Sequence, residues 1–584
     1  MSRGFIAERA RLSVFLARRA VRNTSARLNS HPLLRWRFAR GGVDRLLIAP
    51  QDLRTADPTR ASEIYAGRFA FAGKIVTCDG RAPFHMTPPS DEWAEVLLGF
   101  GWLRHLRAAE SGITRANARA LVDEWISAQG ASPDIAWRPE VVARRVISLL
   151  SQAPLVLHEA DARFYRRLLR SLSRQVRYLR RIADSQDGLP RLQCVIALTY
   201  AALCMAGQQR MLKSLTRRLV DELQRQILPD GGHISRNPAA LIELLLDLLP
   251  LRQAFAARNV PPPPGLMNAI DRMMPMLRFF RHGDGVFAHF NGMGATPGDW
   301  LATVLAYDDT RGAPVANAPH SGYQRLQTAD AIVLMDTGVS PPIAVSQEAH
   351  AGCLSFELST GTTRIIVNCG LPAMGRENWR QLARATAAHS TVTFNDTSSC
   401  RFLNSDALKR VAGVPVVSGP TVVPVSREET DEALIVRAAH NGYARRYGVL
   451  HQRTLRLRRE DGRLEGEDEF LPAYGKALPR NKPDEFAIRF HLHPAVKASR
   501  LVAGHGVMLM LPSRQAWTFT APEHQLELEE SVYLAAPDGP RRTTQIVIHG
   551  HARENPVVRW TIAPGERTAP NVRKQAAKEP ELPL

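Results

Sequence analysis

The spacing of apolar residues changes once along the chain. From about residue 90 to 280, apolar positions recur at i, i+3, i+4 and i+7, and the opposite faces are rich in arginine. Pro, Gly and Asp residues separate these segments, as in the runs QDGLP and LPDGG. The pattern predicts about eight helices joined by short loops, which pack as antiparallel hairpins in a toroid or bundle.

The second half of the chain has a different pattern. From about residue 320 the apolar runs are short or alternating and rich in Val, Ile, Thr and Phe, as in AIVLMD, CLSFELS and QIVIHG. Turn residues separate them at the spacing of an antiparallel β-sandwich. Helices first and strands second predict a multidomain α and β protein, with two domains side by side and a ligand cleft between them.

The changes in pattern also predict where the domains begin and end. Four segments are expected along the chain. They are a basic N-terminal segment that belongs to or leads into the helical domain (1–85), the all-α toroid-like domain (86–312), the antiparallel β-sandwich (313–566) and a flexible polar tail (567–584).

Composition narrows the class of protein and its partners. Of the 584 residues, 45% are hydrophobic and 23% are charged, which is typical of a globular protein. The net charge of +20 favours an anionic partner: an acidic polysaccharide, a nucleic acid or an anionic membrane face. Nucleic acid is the poorest of these, because the basic residues are dispersed over amphipathic helices without a nucleic-acid-binding motif. The six cysteines show no C-x-x-C spacing, so neither a disulfide framework nor a thiolate zinc site is expected.

The N-terminal sequence MSRGFIAERARLSVFLARRAVRN is basic and amphipathic. Arginines interrupt its apolar stretches, so it lacks the continuous apolar core of a signal peptide. A surface or interfacial helix is expected, and an uncleaved export or membrane-association signal is the alternative. The sequence contains no run of about 18 apolar residues, so no membrane-spanning helix is expected.

Three segments contain polar residues that packing alone does not explain. The first is the loop Leu228–Pro238, LPDGGHISRNP, between two apolar helices; an ordinary connecting turn is its alternative explanation. The second is Gln347–Leu358, QEAHAGCLSFEL. If this segment is a strand, Glu348, His350 and Gly352 lie on one face. The alternative is a histidine at the start of a strand whose hydrogen bonds are satisfied within the protein. The third is Arg380–Phe394, which carries His389 just before a strand.

These segments resemble the heparinase II/III family. Its motif D-G-G-H-F-E-R-S-P resembles DGGHISRNP at 230–238, and its motif H-A-H-A-D-x-L-S-F-E-L resembles EAHAGCLSFEL at 348–358. The family's A-H-N-T-V resembles AHSTV at 388–392, and lesser matches are HNGY, GVLHQRTL and FHLHP further on. The resemblance implies an (α/α) toroid followed by an antiparallel β-sandwich, and a polysaccharide lyase that cleaves uronate-containing chains by β-elimination.

The resemblance also implies roles for residues at matching positions. Removal of the C5 proton builds negative charge beside the uronate carboxylate, so relatives neutralise it with donors in the loop that here holds Arg236 and Asn237. The position of the catalytic histidine is Glu348, so the proton acceptor is Glu348, His350 or a tyrosine. Tyr307 is the candidate acid and base, because relatives carry a tyrosine in a loop that joins the domains; an ordinary aromatic residue at a helix end is the alternative.

A structural zinc ion is the cofactor that the resemblance implies. His350 and His389 match two zinc-ligand histidines, and Asn368 stands where the family has a metal-binding aspartate. Gly352 stands where the family motif has another aspartate. The histidines lie 39 positions apart, and that spacing by itself does not specify a metal site.

Three functions follow from these features. The first is a lyase acting on an acidic polysaccharide, and the second is a catalytically altered polysaccharide-binding protein of the same fold in exopolysaccharide or envelope metabolism. The third, a hydrolase, needs two facing carboxylates, and the helical half shows no convincing pair. The resemblance places the protein in the periplasm or cell envelope, with peripheral envelope association, while the lack of a clear signal peptide leaves a cytoplasmic location open. The lyase hypothesis requires Asn237 and His350 to converge on one gap of the size of a sugar acid.

Overall fold

The computed structural model describes residues 2–30, 45–128, 134–308, 312–372, 377–502 and 504–565. The predicted change from helices to strands is confirmed: helix Gly298–Leu305 is followed by strand Asn317–Ala318. The predicted flexible tail at 567–584 lies outside the described residues. The domain boundaries stay predictions.

The helical half consists mainly of antiparallel helices with short connections. Helices α9 and α11 are apolar on nearly all sides and largely buried, whereas α8 and α10 turn arginine-rich faces to solvent. A small hairpin, β1–β2, lies within the segment 1–85, ahead of the region predicted to be all-α. The elements are α1 (Ser2–Ser30), α2 (Thr59–Tyr65), β1 (Arg68–Phe71), β2 (Lys74–Thr77), α3 (Asp91–Gly99), α4 (Leu103–Ala108), α5 (Gly112–Ala128), α6 (Pro139–Ser151), α7 (Ala153–Leu157), α8 (Ala162–Ile182), α9 (Gly188–Cys204), α10 (Gln209–Gln226), α11 (Ala239–Ala257), α12 (Pro264–Phe279) and α13 (Gly298–Leu305).

In the second half, the described residues form two large antiparallel sheets, with short helices inserted between strands. The elements are β3 (Asn317–Ala318), β4 (Tyr323–Gln327), β5 (Ala331–Asp336), β6 (Phe356–Thr360), β7 (Thr363–Val367), α14 (Glu377–Ala383), β8 (Val392–Phe394), β9 (Arg401–Phe402), α15 (Asp406–Ala412), β10 (Val416–Ser418), β11 (Val425–Glu429), β12 (Ala433–His440), α16 (Ala444–Tyr447), β13 (Val449–Arg458), β14 (Leu464–Pro472), β15 (Glu485–Leu492), β16 (Lys497–Arg500), β17 (Gly506–Met510), β18 (Ala516–Thr520), β19 (Glu527–Tyr533), β20 (Arg541–His551) and β21 (Val557–Pro564).

The two sheets pack face to face, as the sequence pattern predicted. One runs β11-β12-β13-β14-β21-β18-β17-β16, and the other runs β19-β20-β15-β7-β6-β5-β4-β3 with β8 paired to β15. Along β13 every second residue is buried, which fixes one face on the core. Trp560 of the first sheet stacks on Phe356 of the second with ring centroids 5.4 Å apart, so aromatic side chains fill the space between the layers.

Helix α1 contacts both halves of the molecule. Its Phe15 packs with Leu403 and with Ala412 of α15 in the sheet half, and Arg22 pairs with Asp187 in the helical half. Val21 on the same helix is 70% exposed. Among the described residues, no helix is both long enough and apolar enough to cross a membrane.

Candidate active site at the domain boundary

Arg236 fastens the loop before α11 to the sheet domain. Its guanidinium donates to the carbonyl oxygens of Ser321 at 2.7 Å and Gly322 at 3.0 Å, and it pairs with the buried carboxylate of Asp336. Burial alone would lower the pKa of Arg236, but the charge of Asp336 outweighs this effect and raises it. This guanidinium positions the loop, and its donors are already engaged by acceptors of the sheet domain. This differs from the role expected for Arg236, which was to neutralise a substrate carboxylate.

Asn237 joins the two domains at the start of α11. Its Oδ1 accepts the backbone N–H of Ala239 at 2.9 Å, and its Nδ2 donates to Oε2 of Glu348 at 2.9 Å. Gly292 lies against both side chains: a Cβ there would stand 3.0 Å from Cβ of Glu348 and 3.1 Å from Nδ2 of Asn237. Asn237 is 8% exposed while Glu348 is open to solvent, so solvent reaches this pair where the two domains meet. The part of the boundary around Asn237, Glu348 and Glu243 is called the recess below.

His350 lies near this recess but turns into the interior. Its Nδ1 lies 3.0 Å from Nε2 of His389, and Nδ1 of His389 contacts the carbonyl oxygen of Ala385 at 2.8 Å. Burial lowers the pKa of His389 to about 4, and burial together with the neighbouring His389 holds the pKa of His350 well below its ordinary value. Both rings are therefore neutral at pH 7.

The expectation that Glu348, His350 and Gly352 share one face of a strand is wrong. Strand β6 begins only at Phe356, and the segment before it is irregular, so the two-residue alternation of a strand does not apply. Instead, Glu348 is exposed beside Asn237, while His350 is 6% exposed and contacts His389. The segment converges with Asn237, but the side chain that reaches Asn237 is the carboxylate.

The residues predicted to hold zinc form an incomplete donor set. The Asn368 side chain accepts from the backbone N–H of Ser390 at 2.9 Å and donates to Glu357 at 3.3 Å. Gly352 supplies no carboxylate, and a Cβ there would stand 2.7 Å from Cδ2 of His389. A structural zinc site needs four ligands, and the described side chains offer two facing imidazoles. These residues therefore fit zinc poorly, and the zinc ion stays a prediction.

Another cluster of three potential ligands lies away from this recess. Within the described parts of the chain, one group of three His, Cys, Asp or Glu side chains comes close enough together to share a cation. It consists of Glu527, Glu529 and His549. They stand on β19 and β20, and Glu529 already pairs with Arg489. This cluster is too exposed and too committed to ion pairs to define a metal centre.

Two tyrosines near the domain boundary have different surroundings. Tyr307 follows α13 and packs, half-buried, against the core of the helical domain, in agreement with the alternative of an aromatic residue at a helix end. Tyr323 lies in β4, where its hydroxyl donates to the carbonyl oxygen of Arg236 at 2.6 Å and accepts from Asn291 at 2.8 Å. Burial raises the pKa of Tyr323, so its hydroxyl stays protonated beneath the loop.

A group of charged residues on the helical wall escaped the sequence prediction. Asp247 of α11 is 3% exposed and pairs with Arg54 at 2.9 Å and with Arg144. Burial alone would raise the pKa of Asp247, but the two arginines lower it to about 2. The guanidinium of Arg54 also lies 5.6 Å from the ring centroid of Trp300.

Glu243 lies on the same helix, four residues before Asp247, so the two share a face. Its side chain reaches solvent although its neighbours on α11 are buried, as expected at the floor of a recess. Burial and then the charge of Glu348 raise the pKa of Glu243, while Arg54 and Arg144 oppose that rise. The available signal was two acidic residues in the otherwise apolar run AALIELLLDLL.

Comparisons with known proteins bear on the fold and the family. The family model "Heparinase II/III-like, C-terminal" matches residues 310–561. FtsZ-localized protein C of Caulobacter vibrioides (strain NA1000 / CB15N) is 32% identical over 529 residues, which cover 88% of this chain and 90% of that relative.

Solved structures agree over most of the chain. A crystal structure of heparinase III matches with a TM-score of 0.69 at 14% identity, covering 91% of this chain and 88% of the other. Heparan sulfate lyase HepC from Pedobacter heparinus matches with a TM-score of 0.58 at 16% identity, covering 91% and 87%. At these identities the likeness establishes the toroid and sandwich fold alone.

Proposed function

Because the chain belongs to the heparinase II/III-like family, a family with a polysaccharide lyase fold, we propose that it is a lyase for an acidic, uronate-containing polysaccharide. The substrate binds in the recess between the domains, and cleavage is by β-elimination. The observation that carries the proposal is the 2.9 Å contact between the Asn237 amide and the Glu348 carboxylate, one from each domain. A donor from the toroid and an acceptor from the sandwich thereby meet at one point.

The Asn237 amide is placed to bind the uronate carboxylate. In the free protein its Nδ2 donates to a carboxylate oxygen, and a substrate carboxylate offers the same acceptor chemistry. Its carbonyl oxygen is held by the backbone of α11, so the amide orientation is fixed before substrate binds. A preorganised donor of this kind stabilises the charge that develops when the C5 proton leaves.

Glu348 is the group placed to accept that proton. His350, the other candidate on this segment, is buried against His389, and Tyr307 packs, half-buried, against the helical core. Glu348 is open to solvent, so a substrate can reach it. No step of this scheme passes through a metal ion.

The helical wall supplies surfaces suited to an acidic sugar. Arg54 and Arg104 both lie over the ring of Trp300, at 5.6 and 5.9 Å from its centroid. Arginine beside an indole ring combines attraction for carboxylates or sulfates with an apolar platform for a pyranose ring. The excess of positive charge over the whole chain adds long-range attraction for a polyanion.

The test is cleavage of a panel of uronate polymers by the purified full-length protein, followed by absorbance near 232 nm and mass spectrometry. Asn237→Ala and Glu348→Gln should each abolish most of the signal, while Glu554→Gln, an exposed glutamate in the sheet domain, should match the wild type. Absence of unsaturated products from every polymer would contradict the lyase proposal. Full activity of both site variants would refute the site.

A second candidate, binding without cleavage, is favoured by Glu348 in place of the family histidine and by the relative whose name describes localisation with FtsZ. In that case the chain localises with FtsZ and retains only polysaccharide binding. Retention of a uronate polymer without product, together with co-sedimentation with FtsZ filaments, would support this candidate. A periplasmic or envelope location, with peripheral envelope association, belongs to the lyase proposal, whereas binding to FtsZ filaments requires a cytoplasmic location; cell fractionation distinguishes the two.

A further inference from the structure

The proposed elimination leaves one proton transfer unassigned. Once the C5 proton has gone to Glu348, the C4–O4 bond breaks and the leaving oxygen needs a proton. The expected donor, Tyr307, packs against the helical core at the end of α13. The recess contains a second carboxyl group, Glu243, that the scheme has not yet used.

Glu243 stands on the helical wall close to the Asn237 and Glu348 pair. Asn237 lies two residues before Ala239, the first residue of α11, and its side chain accepts the backbone N–H of that residue. Glu243 lies about one turn beyond Ala239 and reaches solvent. Its charge interacts with that of Glu348 across the domain boundary. A sugar whose carboxylate is bound by Asn237 therefore has one carboxyl group from each domain beside it.

The groups around Glu243 favour a protonated carboxyl group. Its surroundings contain Glu348 from the sheet domain, Asp247 from the same helix, and Arg54 and Arg144 from the facing helical wall. Both arginines are engaged by Asp247, which offsets part of their pull on Glu243. Burial and the like charge of Glu348 raise the pKa of Glu243.

We infer that Glu243 is the general acid that protonates the leaving oxygen in the elimination proposed above. The C5–H bond breaks and its proton goes to Glu348, while its electron pair forms the C4=C5 double bond. The C4–O4 bond breaks with its electron pair on O4, and the Glu243 carboxyl proton forms the new O–H bond. The products are a 4,5-unsaturated uronate and a new sugar hydroxyl, and both carboxyl groups then exchange protons with water.

A paired-substrate experiment tests this role. Glu243→Gln keeps the size of the side chain but cannot donate an acidic proton. On a natural uronate polymer, kcat should fall by about 10²-fold or more with KM nearly unchanged. On a uronide with 4-nitrophenoxide as the C4 substituent, which departs without protonation, kcat should fall by only about 3-fold, since positioned acid catalysis is then unnecessary.

Three outcomes are distinguishable when Glu554→Gln and the thermal unfolding curve serve as controls. A wild-type protein that eliminates neither substrate overturns both the proposed function and the inference. A wild-type protein that eliminates both, with Glu243→Gln slowed equally on each, overturns the inference alone. Selective loss on the natural polymer, together with loss of the alkaline limb of the kcat/KM profile, supports the general acid.

Discussion

The two walls of the recess differ in how they hold their charged groups. The helical wall keeps Asp247 ionised between Arg54 and Arg144 and leaves Glu243 open to solvent. The sheet wall turns the imidazoles of His350 and His389 inward, neutral and hydrogen-bonded to each other, and presents Glu348. The residue types that reach the recess are therefore carboxylates, an amide and arginines, and the histidines that resemble family metal ligands serve the interior.

The largest expected effect concerns the contact that holds the walls together. Asp336→Ala leaves the buried Arg236 guanidinium without its carboxylate, which should lower the free energy of unfolding by about 3–5 kcal/mol. Chemical denaturation measures this loss. The matched control is Asp538→Ala, which removes an exposed partner of Arg541 and should change the free energy of unfolding far less than Asp336→Ala. Equal effects of the two variants would mean that the buried pair does not fasten the loop.

The next effect isolates the amide of the helical wall. Asn237→Asp keeps the shape but replaces the donor with a second carboxylate beside Glu348, so elimination should slow by about 10²–10³-fold. The initial rate of absorbance increase near 232 nm measures the change. The control is Asn441→Asp, which should keep the wild-type rate. The Asn441 amide donates a hydrogen bond to Thr421 in the sheet domain. A wild-type rate for Asn237→Asp would remove the amide from the mechanism.

The next prediction concerns how the stability of the protein depends on pH through His233, in the loop before α11. Burial lowers the pKa of His233 to about 4, from an ordinary value of 6.5, so the unfolded chain binds a proton there before the folded chain does. Stability is complete above about pH 6.5 and falls as the pH drops toward 4, by up to about 3 kcal/mol from this group. Thermal unfolding from pH 7 to 4 measures the slope. Because burial lowers the pKa of His350 and His389 as well, His233→Gln should reduce the slope without abolishing it. An unchanged slope would show that His233 is not the titrating group.

The smallest effect links the two walls electrostatically. Glu348→Gln removes the like charge that Glu243 feels, so the pKa of Glu243 should fall toward its ordinary value. A ¹³C NMR titration of the glutamate carboxyl groups measures the shift, and Glu554→Gln provides the reference. An unmoved Glu243 resonance would mean that the two carboxylates do not interact, so that only one wall of the recess would carry a reactive group.

The sequence predicted the parts of this molecule that depend on local pattern. The change of apolar spacing near residue 320 gives the order of helical and sheet domains, because each period buries one face of its element. The motif at 230–238 located the loop that carries Asn237. Motif matching also placed Glu348 at the position of the family histidine, and that residue contacts Asn237 in the structure.

The remainder depends on tertiary structure. Glu348 and His350 point in different directions because the segment before β6 is not a strand, and no alternation rule reveals this. The cluster around Asp247 joins Arg54 and Arg144, which are 193 and 103 positions away along the chain. Such separations leave no local signal beyond two acidic residues in an apolar helix.

The close packing of Gly352 against His389 limits any attempt to engineer a metal centre at this place. A Cβ at position 352 would lie 2.7 Å from Cδ2 of the imidazole, and hydrogen bonds to Ala385 and His350 hold that ring from both sides. A Gly352→Asp substitution therefore forces the ring to move before the new carboxylate can serve as a ligand. An engineered site must first repack His389.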